Sequence, residues 1–105
     1  MRALALGLPE TVEQDHHGFP SFRVRGKIFA TLPDSAHANI MIDPDGVESA
    51  VAEEPDCCRE LWWGKRLSGV QVELSRADQE LLAELLTDSW RRKAPGSLLR
   101  EFDAD

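Results

Sequence analysis

The chain has 105 residues, 42% of them hydrophobic and 30% charged, a balance that supports one globular domain over 1–105 with a core of its own. Its formal net charge of −7 excludes a large general polyanion-binding surface, and no apolar run nears the ~20 residues that a membrane helix requires. The two cysteines are neighbours, Cys57 and Cys58; a disulfide between neighbours is strained, so they are expected as reduced thiols in a cytoplasmic protein.

The first apolar run, residues 2–7, reads as one or two helical turns stopped by Gly7 and Pro9. It is too short and too soon followed by acidic residues for an export signal. A helix of that length must lean on the rest of the fold. Residues 9–17 read as a polar connector, acidic through Glu10, Glu13 and Asp15.

A β-hairpin follows. Ser21-Phe22-Arg23-Val24 alternates polar and apolar, Lys27-Ile28-Phe29-Ala30-Thr31-Leu32 is β-rich, and Arg25-Gly26 joins them. A two-residue hairpin loop needs positive φ, which Gly26 adopts freely. That loop sets Val24 opposite Lys27, Arg23 opposite Ile28 and Phe22 opposite Phe29. Phe22, Val24, Phe29 and Thr31 then share the core face. Arg23, Arg25 and Lys27 gather near the tip, either as charge that keeps a sheet edge apart from other edges or as contacts for an anion.

After a turn at Pro33-Asp34-Ser35, residues 38–42 form a third strand with Ala38, Ile40 and Ile42 on one face. Asp43-Pro44 starts a helix to about residue 54, Asp as cap and Pro at the first position, with Val47, Ala50 and Val51 inward. Residues 59–63 form a short strand, 64–69 a basic loop holding Lys65 and Arg66, and 70–74 an alternating strand. Ser75 begins the next helix, with Asp78 completing a capping box and Leu81, Leu82, Leu85, Leu86 and Trp90 facing inward. Acids crowd its first turns and Arg91, Arg92 and Lys93 its last, matching the helix dipole. Residues 97–102 make a final turn or two.

The order of these motifs resembles the MmcQ/YjbR-like family of small bacterial proteins. PSFRVRGKIFATL (20–32), IDP (42–44) and WRRKAP (90–95) carry the resemblance, which spans nearly the whole chain. Such relatives begin several residues earlier, so the first helix is expected to be stunted or to start upstream. The resemblance implies an α+β domain, an antiparallel sheet with helices packed on one face, likened to the bacterial frataxin homologue and to secretion chaperones. It also implies DNA binding through a double-wing motif, the family's biochemical role being otherwise undefined.

No residue set supports catalysis, so the chain is expected to be a binding domain and not an enzyme. His16, His17, His37, Cys57 and Cys58 carry metal-ligand atoms, but adjacent pairs do not converge on one tetrahedron, so neither metal nor cofactor is expected. Two functions remain. In one, Arg23, Arg25 and Lys27 form one wing and Lys65 and Arg66 the other, on nucleic acid. In the alternative, the sheet face with Trp62, Trp63 and His17 binds a protein or small ligand; one of the two Trp is expected in the core. An exposed edge strand would permit a monomer or a weak dimer.

Overall fold

The computed structural model describes residues 1–104. Six strands form one antiparallel sheet: β1 (Thr11–His16), β2 (Phe19–Val24), β3 (Lys27–Thr31), β4 (His37–Ile40), β5 (Cys58–Trp63) and β6 (Arg66–Glu73), in the spatial order β1-β2-β3-β4-β6-β5. The helices are α1 (Arg2–Leu6), α2 (Pro44–Glu53), α3 (Gln79–Lys93) and α4 (Gly96–Ala104). This is the α+β architecture expected.

Hydrophobic alternation decides which face is covered. Cross-strand partners share a face, and the pairings Phe22↔Ala30, Ala30↔Ile40, Ile40↔Val70, Ala38↔Val72 and Cys58↔Val72 line up one apolar surface across five strands. These residues form a single cluster with Ala5 of α1, Val47 and Ala50 of α2, Leu82, Leu85, Leu86 and Trp90 of α3, and Leu98 of α4. The helices therefore share one side of the sheet. Phe22, Phe29, Leu82, Leu85, Leu86 and Trp90, expected to face inward, are all buried, as is Val72 of the alternating strand. The Ser89 hydroxyl bridges helix and sheet, 2.6 Å from the carbonyl oxygens of both Phe29 and Met41. Trp90 Nε1 donates to the Pro9 carbonyl at 3.0 Å and holds the end of α1 against α3.

Four local readings change. Residues 9–17 are not a connector: Thr11–His16 is edge strand β1, paired with β2 along its length. A solvated edge strand needs no apolar alternation, so its polar sequence hid it. Residues 64–69 are not a loop: only Gly64 and Lys65 turn, and β6 begins at Arg66. Asp78 is itself the cap of α3, accepting from Leu81 N at 2.8 Å, while 74–76 make a 3-10 turn. Finally, a bulge at Phe22/Arg23 sets Phe22 opposite Ala30 and Ser21 opposite Thr31. The hairpin is otherwise as read, Val24↔Lys27 and Arg23↔Ile28, with both Arg25 (φ 50°) and Gly26 (φ 81°) in the left-handed region. Asp43 caps α2 as expected, accepting from Gly46 N at 2.7 Å.

Candidate functional site

Strand directions place the two basic turns. Each neighbour in the sheet is antiparallel, so β2, β4 and β5 run one way and β1, β3 and β6 the other. The β2–β3 turn at Arg25-Gly26 and the β5–β6 turn at Gly64-Lys65 therefore lie at the same end of the sheet. Between them, β4 stops at Ile40, while β3 continues back to Lys27 and β6 to Arg66. Lys27 and Arg66 thus flank the notch where the chain leaves the sheet for α2, on strands about 10 Å apart by two sheet spacings.

α3 adds two cations that the sequence reading assigned only to its dipole. It starts beyond the end of β6 and runs antiparallel to it, so Arg92 and Lys93 reach the same end of the molecule. Lys93 is half-buried there. Burial first, then repulsion from Arg92, Arg66 and Lys27, holds its pKa below the ordinary lysine value. Three elements thus bring Lys27, Arg66 and Arg92 within electrostatic reach of Lys93. Lys65 is exposed in the adjoining turn.

The expected first wing is largely dismantled. Arg25 is held by Glu10, Nε to Oε1 at 2.6 Å and Nη2 to Oε2 at 2.9 Å. That pairing lowers the Glu10 pKa and raises that of Arg25, with Glu101 also near. Arg23 is half-buried on the sheet face away from the helices, its Nε donating to Ser21 Oγ at 3.1 Å. Lys27 alone of the three is exposed and without an ion-pair partner among the described residues.

The aromatic residues also depart from expectation. Neither Trp62 nor Trp63 is core: they are 51% and 55% exposed. β5 is an edge strand, and beyond a bulge at Leu61/Trp62 its last two residues pair with β6 alone, Trp62 opposite Leu67 and Trp63 opposite Arg66. His17 does not join them. It sits with Gly18 in the β1–β2 turn at the far end of the sheet, its ring 4.4 Å from that of His16. The alternative set of Trp62, Trp63 and His17 is therefore split between opposite ends.

Acids stand at both ends of the molecule: Glu10, Asp43 and Asp45 lie near the basic turns, and others lie away from them. Glu53, Glu54 and Asp56 lie where α2 passes to β5, at the end away from the basic turns, and Glu80 and Glu84 lie on the early turns of α3. With Asp43, Asp78 and Asp88 several of these line a groove of about 720 Å³ between α2 and α3, over a floor that includes Ala50, Leu81 and Leu85. Among the described residues no three His, Cys, Asp or Glu side chains converge as metal ligands. Cys57 and Cys58 are free and buried, their sulfurs 3.8 Å apart. No helix among the described residues is long and apolar enough to cross a membrane.

The sequence profile of the YjbR family matches residues 6–92. Among solved structures, the chain is similar to protein DR2400 of Deinococcus radiodurans, which carries a DUF419 domain. The TM-score is 0.71 at 21% identity, over 85% of this chain and 72% of that one, a likeness of fold. No curated protein matches.

Proposed function

This chain belongs to the YjbR family, and from that premise we propose that it is a non-enzymatic nucleic-acid-binding domain that uses the turn end of its sheet. One observation supports the reading: Lys27 of β3, Arg66 of β6 and Arg92 of α3 all repel Lys93, so like charge is crowded around that side chain at the turn end. Such crowding costs free energy in the free protein, and a phosphate backbone entering the cluster relieves it. Lys65 extends the patch along the β5–β6 turn. Arg23 and Arg25, engaged within the fold, contribute little. Glu53, Glu54, Asp56, Glu80 and Glu84 lie toward the other end and oppose approach from that side, while Asp43 and Asp45 at the start of α2 adjoin the notch and narrow the path a phosphate can take.

Five cations imply a modest salt dependence. The logarithm of the affinity should fall by about 4–5 per tenfold rise in salt on duplex DNA and by about 3–4 on a single strand. The test is titration of labelled single- and double-stranded DNA with the parent protein and with a Lys27→Glu/Arg66→Glu variant. Both positions are exposed, so the variant should melt like the parent and lose binding. Absence of binding by the parent at micromolar protein and salt below about 50 mM, where electrostatic attraction is strongest, overturns the proposal. A protein- or ligand-binding module using the helix-free sheet face would then replace it.

A further inference from the structure

Trp62 and Trp63 are large apolar side chains left more than half exposed at the end of an edge strand, beside the cationic patch. Burying an aromatic ring is among the larger gains available to a fold, so two left out in succession need a reason. Their placement supplies one. Successive residues of a strand point to opposite faces. Trp62 shares a side with Leu67, which packs against the core, and Trp63 shares a side with Arg66. The two indoles thus stand on opposite sides of a narrow two-stranded ribbon that ends at Gly64 and Lys65.

A duplex is a poor match for that ribbon. It is stiff, it stacks its base faces internally, and it meets the ribbon from one side, where a single indole is available. A single strand is flexible and has unstacked bases, and every base has a face that an aromatic ring can stack upon. It can pass over the tip and place one base on each indole, with its phosphates toward Lys65 and Arg66 and onward to Lys27 and Lys93.

We infer that the ligand class of this site is single-stranded nucleic acid, gripped by base stacking on Trp62 and Trp63 on both sides of the β5–β6 ribbon. This rests on the nucleic-acid reading above and adds to it the strandedness and the stacking residues.

The experiment compares three probes at one low salt concentration: a thymidine oligomer, a duplex of equal length, and an abasic oligomer with the same phosphodiester backbone. Tryptophan emission is read alongside affinity; Trp90 is fully buried and supplies a constant background. The oligomer should bind at least tenfold more tightly than the duplex or the abasic strand, and should quench emission. Trp62→Ala and Trp63→Ala should each weaken oligomer binding by at least about fivefold, and Trp63→Phe should restore much of it. Equal binding of all three probes, with no effect of either alanine variant, overturns the inference and leaves the nucleic-acid reading standing. Failure of every probe to bind overturns both.

Discussion

The Arg25 guanidinium lies against the Glu10 carboxylate as a two-point ion pair, at 2.6 and 2.9 Å, joining the tip of the β2–β3 hairpin to the residue that leads into β1. Both residues have positive φ, 50° and 53°, so two turns present their side chains to each other. The pair is exposed and screened by solvent, so its effect lies in occupying Arg25 more than in stability. Glu10→Gln should release the guanidinium. DNA binding should then strengthen, and the salt slope should steepen by about 0.7–0.9 for one added cation. An unchanged slope would place Arg25 outside the ligand's path.

Lys93 makes a pH-dependent prediction. Its folded pKa lies below the ordinary lysine value of 10.5 through burial and neighbouring cations. Between the folded and unfolded values the native state binds fewer protons than the unfolded chain, so stability rises with pH across that window. Below the window, the ammonium charge is a standing cost. Lys93→Met should therefore raise the urea midpoint at pH 7, and the difference should narrow as pH climbs toward 10.5. Direct titration of the Lys93 side chain by NMR checks the direction, and added inorganic phosphate should move the value back up.

Cys58 is shielded chemically as well as sterically. Burial, then the neighbouring Cys57, pushes its thiol from 9.0 up to about 12. The native state thus keeps this proton longer than the unfolded chain does. The resulting stabilisation is present below about pH 9 and is lost as pH rises through about 12. At pH 8 a thiol reagent should label the native protein slowly and should find two thiols per chain at once in guanidinium chloride. Fewer than two in denaturant, without prior reduction, would contradict the free-thiol assignment.

Gly69 is required by contact. A Cβ there would stand 2.1 Å from the Ile40 carbonyl oxygen and 3.0 Å from Met41 Cα, both backbone atoms at the point where β4 leaves the sheet. No rotamer change relieves that overlap. Gly69→Ala should cost about 1–3 kcal/mol, the usual range for overpacking, read as a lower urea midpoint. Because the clash lies at the notch between Lys27 and Arg66, ligand affinity should fall as well.

Residues whose fate depends on local chemistry were legible in the sequence. The Arg25-Gly26 turn follows from positive φ, the Asp43-Pro44 helix start from capping, and the buried faces of β4, β6 and α3 from periods of two and of 3.6. β1 was not legible, because an edge strand paired on one side only can be polar throughout. The bulges at Phe22/Arg23 and Leu61/Trp62 leave no local signal, since the extra residue is chosen by how neighbouring strands must twist to pack.

The candidate site divides along the same line. That the β2–β3 and β5–β6 segments carry cations is readable from residue order alone, because composition within a turn is local. Which of those cations are engaged within the fold follows from long-range packing. Arg25 meets Glu10 fifteen residues away, and Arg23 folds onto Ser21. Lys93 reaches Lys27 and Arg66 because α3 crosses the sheet to its far end. The exposure of both Trp62 and Trp63 depends on where β5 falls in the strand order. Coulomb energy depends on distance in space and burial on what packs alongside, and strand order sets both without regard to separation along the chain.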